Sequence, residues 1–155
     1  MPAPTGEKLI ADNRRARYDY HLLERIEAGV VLTGTEVKSL REGRVTLTQA
    51  YAEVRDGEAW LFGMSIAIYD KGGHANHEPD RPRKLLMHRK ELDSLYGMVR
   101  EKGHTLVPTR MYFKNGRVKV EIAVARGKHT YDKRHALAER DAKRETERAM
   151  KGYRD

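Results

Sequence analysis

The chain has 155 residues, enough for one domain with a real core, and its 31 Lys and Arg outweigh 23 Asp and Glu to give a formal charge of +8. Cysteine is absent, which excludes disulfides and thiolate metal sites. No apolar run approaches the roughly 20 residues of a membrane span, and the N-terminus lacks an apolar signal core, so a cytoplasmic protein with no membrane partner is expected, its basic excess directed at nucleic acid.

Residues 1–12 read as a flexible leader. Asn13-Arg14-Arg15-Ala16-Arg17 follows, a dense basic cluster directly before a strand. It is either a solvated arm or a phosphate clamp with Asn13 as polar neighbour. From Tyr18 to Leu32 the even positions carry Tyr18, Tyr20, Leu22, Ile26, Ala28, Val30 and Leu32, broken only by Glu24. That pattern predicts one long half-buried strand. Gly29 is the expected site of a bulge or tight curve, and strands that bend this way close barrels.

Gly34 to Gly43 reads as a very short helix between strands. Thr35 is a good N-cap, Glu36 meets the positive end of the dipole and Arg41 lies near the negative end. Gly43 supplies a terminating residue. So short a helix needs pinning, and Val37 with Leu40 supplies the apolar edge. The expectation is a plug between strands, with Lys38 and Arg41 outward on a basic rim.

Thr46 to Arg55 and Glu58 to Ile68 read as strands joined at Asp56-Gly57, a hairpin signal. Trp60, Phe62, Met64, Ile66 and Ile68 share one face. Trp60 and Phe62 could stack on bases, but alternation with aliphatic residues marks them as core. Tyr69 to Arg83 is a long polar loop, functional or mobile. His74, His77 and Glu78 have a possible ligand spacing, but nothing completes a metal site. The loop ends in a second basic cluster, Asp80-Arg81-Pro82-Arg83-Lys84, and Leu85 and Leu86 should dock to the core.

His88 to Lys102 is the strongest helix signal, with Leu92, Leu95, Tyr96 and Val99 as its buried stripe. His88 and Glu91 suit a capped start, and Gly103 an end. Thr105 to Phe113 and Arg117 to Arg126 flank the turn Asn115-Gly116. Val118, Val120, Ile122 and Val124 alternate, while Lys114, Arg117, Lys119 and Arg126 keep the other surface basic. Beyond Gly127 the composition changes: nine Lys and Arg face six Asp and Glu, so +3 of the total +8 lies here, with few large apolar residues. This segment cannot bury enough surface to fold alone. Ala136 to Met150 nonetheless has high helix propensity. It is expected to be disordered when free and helical on an anionic partner.

No phosphate-cradling loop, dinucleotide fingerprint or Ser nucleophile motif appears. Glu24, Glu27 and Glu36 read as surface carboxylates, and a metal-independent nuclease using Glu and His is the competing enzyme reading. The basic clusters fit backbone-phosphate binding better.

Several blocks also carry a resemblance: Asn13-Arg14-Arg15-Ala16-Arg17, Glu27-Ala28-Gly29, Gly34 to Arg41, Arg83-Lys84-Leu85-Leu86, and Gly127-Lys128 followed by Tyr131-Asp132-Lys133-Arg134. In this order they resemble the bacterial SsrA-binding protein (SmpB) family over nearly the whole chain. Met87 stands where the family often has leucine, and His129 where it often has lysine. The resemblance implies a mainly β (α+β) fold, an OB-type closed barrel over 13–127 with short accessory helices. Residues 128–155 form the conditional tail. It implies an RNA-binding adaptor that binds the tRNA-like domain of transfer-messenger RNA (tmRNA) and mimics the missing anticodon arm. Such an adaptor delivers the RNA to stalled ribosomes for rescue by trans-translation. Asn13, Arg14, Glu27 and the Leu86 neighbourhood carry over as RNA-facing. The charges of Arg15, Arg17, Lys38, Arg41, Arg83, Lys84 and Lys128 extend that set. The tail, with Tyr131, Asp132, Lys133, Arg134, His135, Arg140, Lys143, Arg144, Arg148 and Lys151, would enter the decoding centre and empty mRNA channel of the small ribosomal subunit. No cofactor, metal or catalytic residue is expected, and the protein should be a monomer. A general OB-type RNA binder or ribosome-assembly factor is the alternative.

Overall fold

The long strand predicted around Gly29 forms, and it organises the sheet. The computed structural model describes residues 6–100 and 104–127. It is mainly β, with a few short helices. In chain order the elements are β1 (Glu7–Asp12), α1 (Arg14–Asp19), β2 (Tyr20–Val30), α2 (Gly34–Arg41), β3 (Val45–Thr46), β4 (Tyr51–Arg55), β5 (Glu58–Phe62), β6 (Ser65–Ile66), β7 (Arg83–Leu86), α3 (Arg89–Val99), β8 (His104–Lys114) and β9 (Arg117–Gly127). Seven strands form one antiparallel sheet in the order β1-β8-β4-β5-β7-β2-β9, and β9 pairs back onto β8. β3 and β6 form a separate small pair.

Three expectations about local structure are revised. Residues 7–12 are not leader: they pair with Lys114 to Arg110 of β8. The basic cluster is not an arm before a strand but a helix, because Asn13 caps it and leaves Arg14 to Asp19 as its first turns. The bulge in β2 lies between Leu22 and Glu24 rather than at Gly29. That extra residue switches the strand's phase. Before it, Tyr20 and Leu22 pack with Ala16, Val107, Ala123 and Ala125 beneath α1. After it, Ile26 and Ala28 join the main core. Gly29 serves a close approach instead: a Cβ there would lie 3.3 Å from Leu86 Cβ.

β9 buries Val118, Val120, Ile122 and Val124 as its alternation predicts. The 56–57 and 115–116 turns also form as expected, with positive φ at Asp56, Gly57, Asn115 and Gly116. In β5 the predicted face is inverted. Ala59 and Leu61 are buried, while Trp60 and Phe62 are half-buried on the other side. The cause is Gly63, whose φ of +76° ends β5 and lets Met64 and Ile66 turn inward. Phe62 stacks on Tyr51 at 5.5 Å between centroids, which explains its partial cover.

α2 plugs the core through Leu40, but its buried face also includes Glu36 and Ser39. Thr33, not Thr35, is its N-cap: Glu36 Oε1 accepts from the Thr33 N–H at 2.8 Å. Thr35 lies two residues further in, and its hydroxyl meets His77 Nδ1 at 2.8 Å. His77 Nε2 meets the Ile66 carbonyl oxygen at 2.9 Å, so this histidine pins the 69–82 loop rather than seeking a metal. α3 starts at the predicted His88 cap, whose N–H donates to Glu91 Oε1 at 3.0 Å. It buries Leu95 but leaves Tyr96 exposed. The helix ends at Val99 with Arg100 as its C-cap, short of the expected Lys102, and Gly103 itself lies outside the described residues.

Candidate nucleic-acid interface

The corner between β1 and α1 is built by one side chain. Asn13 Nδ2 donates to the Pro108 carbonyl at 2.8 Å and to the Leu47 carbonyl at 3.2 Å, and Oδ1 accepts from the Ala16 N–H at 3.3 Å. Its own N–H donates to the Thr109 carbonyl at 2.7 Å. Asn13 is thus buried, and its assignment to the RNA-facing surface is corrected: it fixes α1 on β8. What it presents is the arginine row. Arg14 is 91% exposed, with only a 3.9 Å approach to Asp12. Arg15 is drawn to Asp19 at 3.1 Å and Arg17 to Asp12 at 2.7 Å. A cleft of about 390 Å³ opens beside them, lined by Asp12 to Arg15 and by Val45 to Thr48. Arg14 is the cation of this row most available to a phosphate.

From that corner the outward face of β2, β9 and β8 leads away. Glu27 is opposite Glu121, Gly29 opposite Lys119, and Tyr112 opposite Lys119 from the other side. Glu27 is 37% exposed, with Lys114 Nζ 3.3 Å from Oε2. Tyr112 Oη donates to the same oxygen at 2.5 Å. The phenol's hydrogen bond is the main reason the Glu27 carboxyl is held below its ordinary value; partial burial opposes it, and Lys114 and Lys119 add to the lowering. Burial first, then the Glu27 carboxylate, push the Tyr112 phenol up. Both groups therefore keep their roles near neutral pH, one as acceptor and one as donor. Leu86 borders this face next to Gly29 and is 53% exposed, so it does not dock to the core as Leu85 does. Lys84, two residues earlier on the same side of β7, pairs with Glu58 at 2.6 Å.

Arg83 is the clear misassignment. It points inward with no exposure and cannot meet a phosphate. Its Nε donates to Glu36 Oε2 at 2.8 Å and Nη1 to the Met64 carbonyl at 2.7 Å. Arg81 donates to the same carboxylate from Nε at 3.0 Å and from Nη2 at 2.5 Å. Burial would push the Glu36 carboxyl up, but the bonds from Arg81, the Thr33 N–H and Arg83 outweigh it and hold it below the ordinary value. Alternation could have revealed this, since Arg83 and Leu85 share one face of β7. A run of cations was a louder signal than a period of two.

Lys38 and Arg41 are exposed on α2, which packs against β6 rather than beside Glu27. Lys38 Nζ sits 5.5 Å from the Tyr69 ring centroid. Lys128 and the tail residues from Tyr131 to Lys151 lie outside the described residues. Tyr112, Lys114 and Lys119 around Glu27 were not among the predicted site residues. The available signal was Tyr112 alternating with Arg110 and Lys114 on an otherwise polar face. Among the described residues no cluster of three or more His, Asp or Glu could hold a metal, and no helix is long and apolar enough to cross a membrane.

The chain is similar to known proteins in sequence and in fold. The model of the SmpB protein family matches residues 10–152. The SsrA-binding protein of Thermobifida fusca is 58% identical over 149 residues, 96% of this chain and 93% of that relative. The SsrA-binding protein of Parafrankia sp. is 58% identical over 150 residues, 97% of this chain and 95% of that relative. A chain from a solved structure described as "tmRNA-SmpB: a journey to the center of the bacterial ribosome" is 52% identical, with a TM-score of 0.67 over 79% of this chain and 87% of that chain. By sequence along almost its full length, and by fold, the chain belongs to the SmpB family.

Proposed function

We propose that this chain is a non-enzymatic adaptor of the cytoplasm that binds the tRNA-like domain of tmRNA and carries it to stalled ribosomes for rescue by trans-translation. Relatives named for SsrA binding, and a solved neighbour described with tmRNA and the ribosome, support the partners. The strand pairings run β8-β4-β5-β7-β2-β9 and return to β8, which fits an OB-type barrel. The single observation that carries the reading is the outward face itself. An open arginine at Arg14, a carboxylate at Glu27 and an apolar rest at Leu86 follow one another over continuous sheet and its capping helix. That mixture suits folded RNA, which is recognised by phosphates and by unstacked bases together. The tail from Lys128 onward would occupy the decoding centre and mRNA channel, where its cations would meet phosphate on every side.

The test is a binding titration of the full chain with the tRNA-like domain and with an unrelated structured RNA at matched salt. Preference for the tRNA-like domain by tenfold or more is expected, by analogy with specific over non-specific recognition being on the order of 10³ or more for DNA. Equal affinities would favour a general RNA binder. Arg14→Ala should lower the salt slope by about 0.9 or less, one phosphate's share.

A further inference from the structure

Strands β2 and β8 place a buried phenol against an exposed carboxylate. Tyr112 is 2% exposed, and its ring is held from the other side by Arg110, whose guanidinium lies 4.4 Å from the centroid. Its hydroxyl donates to Glu27 Oε2, and Lys114 Nζ reaches that same oxygen. Both bonds end on Oε2, and among the described residues none donates to Oε1, which leaves that oxygen free to accept. An exposed glutamate on a strand ordinarily samples several rotamers. Here the tip is fixed by a donor that cannot swing away.

The surroundings say what the open oxygen would meet. A phosphate is repelled by a carboxylate, so the partner must be a donor. Two positions along β2 on the same side is Gly29, and beside it stands exposed Leu86. A floor of Gly29 and Leu86, edged by the Lys119 amine, next to a single fixed acceptor fits the plane and edge of a base better than a ribose. We propose that Tyr112 is a positioning residue: it holds Glu27 so that Oε1 accepts from the exocyclic amino group of an unstacked RNA base resting on Leu86. The inference rests on the RNA-binding reading above. Tyr112 itself touches no RNA; it acts through Glu27.

The experiment uses the full chain and a transcript of the tRNA-like domain. Tyr112→Phe keeps the ring and removes only the donor. Binding is expected to weaken roughly 3- to 10-fold, a charge-assisted hydrogen bond discounted for exposure. The salt slope should stay unchanged, because no phosphate contact is lost. In a Glu27→Ala background the same substitution should change affinity by less than about twofold, the sign of direct coupling. The Glu27 carboxyl, followed by carbon NMR, should titrate nearer its ordinary value in Tyr112→Phe, which a merely structural ring would not cause.

Full affinity in Tyr112→Phe alongside weakened binding in Glu27→Ala overturns this proposal and leaves the RNA-binding reading standing. A wild-type chain that ignores the transcript at low salt overturns both. Should Tyr112→Phe fail to fold, the wild type is titrated with transcripts in which unpaired guanosines are replaced by inosine, adenosines by purine riboside, or cytidines by their 4-deamino analogue. One replacement should weaken binding to the wild type and not to Glu27→Ala. Indifference to all three overturns the proposal.

Discussion

Glu36 and Arg83 have no solvent contact, yet both carry charge, and they meet Arg81 at the seam between α2, β7 and the 69–82 loop. Removing one member strands the others. Glu36→Ala should cost about 3–5 kcal/mol of unfolding free energy, the usual penalty for leaving a buried charge without its partner. The pH dependence follows from the lowered Glu36 value. A carboxyl held below its unfolded value, about 4.3 for Glu, contributes fully above that pH and loses its contribution as pH falls through the folded value. Urea unfolding at stepped pH should therefore show wild-type stability level near pH 6 and falling on the acid side. Glu36→Gln should be weaker throughout, with a shallower acid limb. The inward side of Arg83 is legible, since it alternates with Leu85 on β7, but its partner is not: Glu36 lies 47 residues away, and a long-range ion pair leaves no local pattern. Arg14, by contrast, belongs to a motif short enough to read and is exposed, whereas Leu86, expected to dock to the core, is exposed as only the resemblance implies.

At the scale of elements, periodicity was informative wherever phase stayed constant. β9 and the two tight hairpins were readable for that reason. The misreadings arose where one backbone irregularity reversed the phase, at the β2 bulge and at Gly63. A helix of six residues, α1, leaves no periodic signal because it buries a single alanine and its cap is a long-range clamp. Gly63 is the most sensitive of these points. A Cβ there would sit 2.6 Å from the Gln49 carbonyl oxygen, against backbone that cannot yield cheaply, and φ is +76°. Gly63→Ala should lower stability by more than about 1 kcal/mol in thermal or urea unfolding. Gly34, where an added Cβ would meet nothing within 4 Å, makes the matched control; Gly34→Ala should be close to neutral or mildly stabilising.

For the molecule as a whole, the pairings of the seven-strand sheet are complete by Gly127. Truncation after Gly127 should leave the unfolding transition and tmRNA binding largely intact while abolishing tagging of stalled peptides in a reconstituted translation system. Loss of RNA binding together with tagging would argue against two separable modules. Among the described residues, β1 alone in the seven-strand sheet has a single partner, so its outer N–H and C=O groups are a template that another copy could extend. That hem is spoiled twice: its register breaks between Leu9 and Ala11, and Glu7, Lys8 and Asp12 load it with charge. A kinked, charged border of this kind disfavours edge-to-edge pairing between copies.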